Sequence, residues 1–494
     1  MMNQHFKQAT GFSLILGYLG ITTMLAGGIT LLPLFTLFFY PEEISQAKYF
    51  IIPGILAILI GYILNFYIRG KEKGQLQKNQ DMVIVLLTWI IAILVSAFPF
   101  VLSGNYSFTQ AIFEATSGLS TTGFSIIDIA NTPNIFFIHR SILLFFGGIG
   151  LVLIMTSVLS DVYGMRLYHA EGHADRLMPN LLKSARMIIL IYSAYITMGV
   201  ILYIIAGMSP FDAINHAISA VSTGGFSTKV ESIGYYNDPL IEWITIVLMI
   251  LGSTNFLIHL MLIQGKFQTV LRHCETKFSL GIFAVLLPLS VILLFQSGYT
   301  HAKEAFQDGV FQFVSALSTT GLQTIPTFST WPASLIFIFV LLMLIGGSTG
   351  STAGGLKQYR VYIVFKEMIW YIQGLFLSHR VIRIHTINRY GKMERIDFVE
   401  KNKIFIFILL YLSLFAMGTF IFTLSGASLE HAMFEFSSAI GNVGLSIGVT
   451  NSEADPLIHW TAIIGMFVGR LEIYIVFLGL IQFYREGKAK VSKR

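Results

Sequence analysis

The sequence predicts an all-α polytopic membrane protein built from four helix, re-entrant loop, helix repeats with pseudo-fourfold symmetry around one pore, preceded by two extra N-terminal helices. Three observations carry this. Of 494 residues, 54% are apolar and 12% charged, and the mean hydropathy is +0.72, far outside the balance of a soluble domain. Long charge-free segments recur along the whole chain. Between them, one short Ser/Thr/Gly run returns four times.

The charge-free segments lie at about 12–40, 50–68, 82–106, 141–160, 187–208, 243–258, 278–300, 325–356 and 404–429, and most exceed the roughly 18 residues that cross a bilayer. A last segment, 458–484, carries Arg470 and Glu472. The first is too long for a signal-peptide core and lacks a small-residue cleavage site, which makes it a retained helix. The single cysteine, Cys274, falls in an expected cytoplasmic loop. It excludes a disulfide framework, and no Cys/His zinc pattern is present.

Positive charge sets the orientation. With the N-terminus cytoplasmic and each segment crossing once, all 32 Lys and Arg except Lys48, Arg140, Lys229 and Lys303 fall on the cytoplasmic side or in the inner half of a helix. This is a strong positive-inside bias, and it puts both termini in the cytoplasm of a multi-pass protein of the cytoplasmic (inner) membrane. The outer loops carry Glu42, Glu43, Asp128, Glu231, Asp238, Glu304, Asp308, Glu453 and Asp455, a face that concentrates cations. The net charge of +6 is thus a topology signal, with no nucleic acid to invoke.

The four runs are SGLSTTGFS (117–125), SAVSTGGFS (219–227), SALSTTGLQ (315–323) and SAIGNVGLS (438–446). Aligned on Gly123, Gly225, Gly321 and Gly444, each has a serine six residues earlier: Ser117, Ser219, Ser315 and Ser438. The next position is small, as Gly118, Ala220, Ala316 and Ala439, and four before the glycine is aliphatic, as Leu119, Val221, Leu317 and Ile440. Phe113, Phe311 and Phe434 share one register, with Asn215 as the exception. Each run follows a spanning segment and a short helix-like stretch such as FTQAIFEAT (108–116), and precedes another span. Each unit crosses an even number of times, so all four runs reach the same, outer, face.

Non-helical backbone at membrane depth is tolerated only where it is buried in protein or lines a wet cavity. Four extended runs around an axis present rings of carbonyl oxygens, hard ligands that replace water around an alkali cation. Glycine allows the positive-φ conformations that turn carbonyls inward and lets backbones converge. No titratable residue is needed. Small-residue contacts between helices would explain one such run, but not four in register that each interrupt a span.

These runs, together with GGSTGSTAGGLK (346–357) and GRLE (469–472), resemble the Trk/Ktr/HKT superfamily of potassium transporters over nearly the whole chain. The two leading helices and the length are similar to the bacterial TrkH-type membrane subunit. The resemblance implies potassium translocation through a homodimer with one pore per subunit, regulated by a cytosolic nucleotide-binding ring of the TrkA type. Potassium is then the transported ion, nucleotide enters only through the partner, and there is no covalent cofactor and no enzymatic chemistry. The implied filter is Thr121, Thr122 and Gly123; Thr223, Gly224 and Gly225; Thr319, Thr320 and Gly321; and Asn442, Val443 and Gly444. The fourth run departs from the hydroxyl-rich pattern, and Asn442 and Val443 are expected to make the ring asymmetric. Glycine in all four runs is associated with potassium rather than sodium passage.

Below the third run, Gly346, Gly347, Ser348, Thr349, Gly350, Ser351, Thr352, Ala353, Gly354 and Gly355 interrupt an apolar segment from about 335 to 371, too long for one straight crossing. The glycines disfavour helix, so a loop at membrane depth is expected, and it is similar to the family's intramembrane gate. A phosphate loop is excluded by the missing Gly-Lys-Ser/Thr ending and preceding strand. Lys357 is read either as part of this gate or as a residue snorkelling to the cytoplasmic boundary. Arg470 lies about 12 residues into its helix, near mid-membrane by the helical rise, where a charge needs a cavity or a partner. It either sets the barrier to ions and holds the gate, or pairs with Glu472 or Glu435.

Glu114, His216, Gln312 and Glu435 share the register nine residues before the filter glycines and are expected to brace the filter by hydrogen bonds. His169, Glu171 and His173 in HAEGH have a possible metal spacing but read better as a cytoplasmic loop. The basic cytoplasmic loops, including HRVIRIHTINRYGKMER (379–395), read either as contacts to membrane lipid headgroups or as docking sites, and docking is preferred for that loop because the resemblance implies a regulatory partner. The expected divisions are an extension at 1–80 and repeats at 81–165, 180–270, 271–373 and 400–494. The function that follows is channel-like potassium uptake. The alternative is a symporter that couples potassium to sodium or protons.

Overall fold

The computed structural model describes residues 12–66, 79–150, 181–297, 299, 301–376 and 385–491. The HAEGH motif and the first residues of the 379–395 loop lie outside them. In chain order the helices are α1 (Phe12–Leu31), α2 (Ala47–Phe66), α3 (Gln80–Leu102), α4 (Phe108–Leu119), α5 (Asn134–Ile149), α6 (Leu181–Ile205) and α7 (Pro210–Val221). They continue as α8 (Pro239–Ser253), α9 (Phe256–Ile263), α10 (Phe267–Arg272), α11 (Cys274–Gln296), α12 (Ala302–Leu317), α13 (Ala333–Ile345) and α14 (Gln358–Leu375). A hairpin, β1 (Thr386–Arg389) with β2 (Lys392–Arg395), precedes α15 (Phe398–Leu424), α16 (Leu429–Gly441), α17 (Pro456–Leu471) and α18 (Ile473–Val491).

This is a multi-pass membrane protein. Among the described residues, stretches 13–38, 41–66, 80–102, 183–205, 274–296 and 398–424 are long and apolar enough to cross a bilayer. Their large apolar side chains are exposed where lipid covers them: Ile52, Leu56, Leu59 and Ile63 on α2, and Leu409, Met417 and Phe420 on α15. Two crossings expected as single helices are broken. The segment read as 243–258 turns by 108° between α8 and α9, and that read as 458–484 breaks at Glu472, whose φ is +60°. The segment read as 141–160 ends its helix at Gly150, φ +99°.

By contacts the chain forms two compact units. One holds 1–120, 125–190 and 471–494; the other holds 121–124 and 191–470. In the first, α1 and α2 pack through glycines seven residues apart on each helix. A Cβ on Gly20 would lie 2.6 Å from Asn65 N and 2.7 Å from Gly61 O, one on Gly61 2.5 Å from Gly20 O, and one on Gly27 2.6 Å from Gly54 O. Such close backbone approach is how helices associate where the hydrophobic effect gives no drive. In the same unit Glu43 accepts from Asn134 N at 2.7 Å and Ile135 N at 2.9 Å, capping the first turn of α5 with a carboxylate.

Four short helices, α4, α7, α12 and α16, lead directly into the four Ser/Thr/Gly runs. Three start at a serine cap, Ser107, Ser209 and Ser428, and Ser107 with Gln110 completes a capping box. Gly61→Leu is expected to overpack the α1–α2 seam, costing about 1–3 kcal/mol and lowering the melting midpoint in detergent. Gly28→Leu, which meets nothing within 4 Å, should leave it unchanged.

Candidate functional site

The four runs share one backbone conformation. Thr121, Thr223, Thr319 and Asn442 have φ of +54°, +52°, +55° and +53°, and two residues later Gly123, Gly225, Gly321 and Gly444 have +88°, +71°, +82° and +95°. The residue between is not in the left-handed region. Alternating signs of φ keep successive carbonyls on one side of the strand. Three of these left-handed positions are threonines, which as β-branched residues rarely occupy that region, at a cost of about 1–3 kcal/mol each. The expected asymmetry of the fourth run is not a backbone one: Asn442 is the residue best suited to left-handed φ.

The N–H groups of the runs turn back onto their own helices. Gly224, Thr320 and Val443 donate to Ser219 O, Ser315 O and Ser438 O, each at 2.9 Å. The serine six before the glycine assists in two runs: Ser315 donates to Leu322 O at 2.6 Å and Ser438 accepts from Gly444 N at 2.9 Å. Within the second unit the runs touch in a closed cycle. A Cβ on Gly123 would strike Gly224 O, one on Gly225 would strike Thr320 O, one on Gly321 would strike Val443 O, and one on Gly444 would strike Thr122 O. Each glycine is therefore required by its neighbour's carbonyl as well as by its own φ.

The four residues nine before the glycines each bond the end of the run or the residues just past it. Glu114 accepts from Ser125 Oγ (3.1 Å) and Ile126 N (3.2 Å), His216 Nε2 lies 2.9 Å from Ser227 Oγ, Gln312 donates to Thr324 Oγ1 (3.1 Å), and Glu435 accepts from Ser446 Oγ (2.8 Å), Ile447 N and Thr450 N (both 2.9 Å). The bracing expected of this register is present, through three different chemistries. Two of the outer cations that depart from the positive-inside pattern are paired. Arg140, buried in α5, lies 2.8 Å from Glu114, and Lys229 lies 3.2 Å from Asp212. Burial raises the Asp212 pKa, but hydrogen bonds from Thr228 and Ser209 and the Lys229 charge outweigh it and hold the carboxyl below its ordinary value. The Arg140 partnership was invisible in sequence, because 26 positions separate it from Glu114 and no register links them.

Residues 346–357 are non-helical, with positive φ at Gly346, Gly350, Gly355 and Lys357. The loop touches three of the four runs. Thr352 Oγ1 lies 3.1 Å from Thr223 Oγ1 and donates to Val221 O (3.1 Å) and Gly252 O (2.9 Å); Gly354 N donates to Thr319 Oγ1 (2.7 Å); and a Cβ on Gly354 would strike Gly441 O. Thr121 Oγ1, the equivalent atom of the first run, is buried with no hydrogen-bond partner among the described residues. The loop and the break between α8 and α9 complete each other: Ser348 N donates to Ser253 O (3.1 Å), Thr352 N to Gly252 O (3.3 Å) and Phe256 N to Gly350 O (3.1 Å). Backbone groups freed by one irregular segment are satisfied by the other.

Arg470 donates to Thr352 O at 2.7 Å, so this guanidinium holds the loop, while Glu435 is committed to the segment past its own run. Lys357 Nζ donates to Ala353 O within the same loop. Sequence reasoning missed Asn255, which donates to Thr349 O, and Glu275, which accepts from Thr349 N at 2.8 Å and Tyr359 N at 3.2 Å. A signal for Asn255 existed in Gly252-Ser253-Thr254-Asn255, a helix-stop composition inside a span. Among the described residues no group of three or more His, Cys, Asp or Glu could hold a metal ion.

Comparison with known proteins agrees with this architecture. The TrkH family, described as a cation transport protein, matches residues 46–486. The chain is 29% identical over 490 residues to the Trk system potassium uptake protein TrkH of Escherichia coli K12, covering 96% of this chain and all of that one. It is 31% identical over 474 residues to the TrkG protein of the same organism, covering 92% and 94%. The crystal structure of the potassium transporter TrkH from Vibrio parahaemolyticus superposes with a TM-score of 0.83 at 25% identity, covering 95% of this chain and 98% of that one. With the family pattern spanning nearly the whole chain, this protein belongs to the TrkH family of cation transport proteins, which are ion transporters and not enzymes.

Proposed function

We propose that this chain takes up potassium across the cytoplasmic membrane through a filter formed by Thr121 to Gly123, Thr223 to Gly225, Thr319 to Gly321 and Asn442 to Gly444. The observation that carries the reading is the closed cycle in which each run's glycine abuts the next run's carbonyl. Carbonyl rings of this kind replace the hydration shell of a weakly hydrated monovalent cation. The C-terminal ends of α4, α7, α12 and α16 lead into the runs, and their partial negative charge favours a cation there. Repeat divisions near 81–165, 180–270, 271–373 and 400–494, with pseudo-fourfold symmetry about one pore, belong to the same proposal.

The loop 346–355, with Lys357 and Arg470, acts as the gate. It hydrogen-bonds to two of the four runs and packs against a third, and the Arg470 charge stands in the path of a cation. Passage is channel-like, down the ion's own gradient. The working protein is a homodimer in the inner membrane with both termini cytoplasmic, and a TrkA-type nucleotide-binding ring docks on its basic cytoplasmic loops. The Escherichia coli relatives are named as parts of a Trk system, which fits a separate regulatory component.

Radioactive rubidium flux into proteoliposomes, with sodium in competition, tests both parts. Gly123→Ser adds a side chain where φ is +88° and Gly224 O leaves no room; its discrimination against sodium should fall on the order of tenfold, and unchanged rate and selectivity would sink the filter assignment. Arg470→Ala removes a charge-assisted bond to Thr352 O, so flux should rise about tenfold or more, as should a partial deletion within 346–355. Unchanged or lower flux in correctly folded protein would remove the loop and Arg470 from the gate. Strict stoichiometric dependence on a sodium or proton gradient would replace the channel by a symporter.

A further inference from the structure

The hairpin β1–β2 is a fixed body. Ile387 and Ile396 are buried against Cys274, Tyr359, Ile363 and Ile404 from α11, α14 and α15, and the Arg389 guanidinium lies 4.8 Å from the centre of the Tyr359 ring. Tyr390, at its turn, stacks on His273 with ring centres 4.7 Å apart. Its hydroxyl lies 3.0 Å from Asn255 Nδ2, and the same Nδ2 donates to Thr349 O in the gate loop. Asn255 is 2% exposed. Thr349 N–H is taken by Glu275, so the main chain of this one loop residue is held at both its donor and its acceptor. Gly350 packs alongside, where a Cβ would lie 3.0 Å from Asn255 Nδ2.

We infer that Asn255 and Tyr390 are positioning residues of the gate, a hydrogen-bonded strut through which the place of the hairpin sets whether loop 346–357 stays under the filter runs. The inference rests on the gate reading above. A force applied to the hairpin moves Tyr390 against Asn255, and Asn255 is fixed to the loop and to the helix break that shares its backbone bonds. Asn255 also caps α9, its Oδ1 accepting from Leu257 N at 2.7 Å. The strut is therefore rooted in a helix end and is not free to swing with the loop. Nothing in it needs a charge. It transmits displacement, and the exposed basic residues of the hairpin, Lys392 and Arg395, face a docking partner that could pull on it.

The test uses the full-length chain in proteoliposomes with rubidium flux and sodium competition. Tyr390→Phe removes one hydroxyl and keeps the ring on His273. Asn255→Asp keeps the cap acceptor for Leu257 N and removes the donor to Thr349 O. Each should raise flux about three- to tenfold, the worth of one hydrogen bond, with the rubidium-to-sodium preference unchanged. On an Arg470→Ala background the gain should shrink below twofold, because the loop is already released. Wild-type flux from both variants, in protein that is monodisperse and incorporated in wild-type amount, overturns the strut. So does a rise accompanied by lost selectivity, which marks general damage. Should Arg470→Ala and the loop deletion also leave flux unchanged, the gate reading itself fails; if they raise it while Tyr390→Phe and Asn255→Asp do not, only the strut fails.

Discussion

A peptide group that leaves a helix inside the bilayer must find a partner in the protein, and the described structure depends on how this chain meets that demand. Five or six residues of each of the four runs, and residues 346–357, are outside helices, where the backbone must find its partners within the protein. The N–H groups of Gly224, Thr320 and Val443 return to the short helices behind, and the side chains nine residues upstream secure the end of each run or the residues that follow it. The proposed filter draws its ligands from the remaining run carbonyls. A site made by this arithmetic needs no acidic residue, and its strength follows from how firmly everything except the carbonyls has been tied down.

The same demand explains why two irregular segments occur side by side. The break between α8 and α9 frees Gly252 O and Ser253 O, and the loop supplies Thr352 N and Ser348 N to them. Neither segment is stable at that depth alone. Residues that look decorative in isolation, such as Thr352 with its contacts to Thr223, Val221 and Gly252, are the joints between them. The threonines with left-handed φ fit this picture: a backbone held on several sides can retain conformations that an isolated turn would lose.

Much of this was legible in the sequence. The fourfold recurrence around Gly123, Gly225, Gly321 and Gly444 located the irregular runs, and the glycines of 346–355 located the loop, because backbone that must leave the helix leaves a compositional mark. The register of Glu114, His216, Gln312 and Glu435 located the braces. The break at Asn255 was marked only by Gly252-Ser253-Thr254-Asn255 within an apolar run that reads as one span, and the hydrogen bonds that hold it come from a loop some 90 residues away in the chain. The ion pair of Arg140 with Glu114 was hidden, because no register links the two. The fourth run departs in residue type at Asn442 and Val443 and agrees in φ.

A single chain carries all four runs, and a loop that hydrogen-bonds to two of them and packs against a third limits how the assembly can move. A ring of identical subunits must open by a concerted or stepwise change repeated in every copy. In the proposed gate the quarters are free to diverge, and the moving part belongs to a single one. The Thr121 hydroxyl, which the loop leaves unclaimed, makes the loop's contacts with the runs lopsided. On that reading each chain opens by a single event, without the concerted change that four identical subunits require.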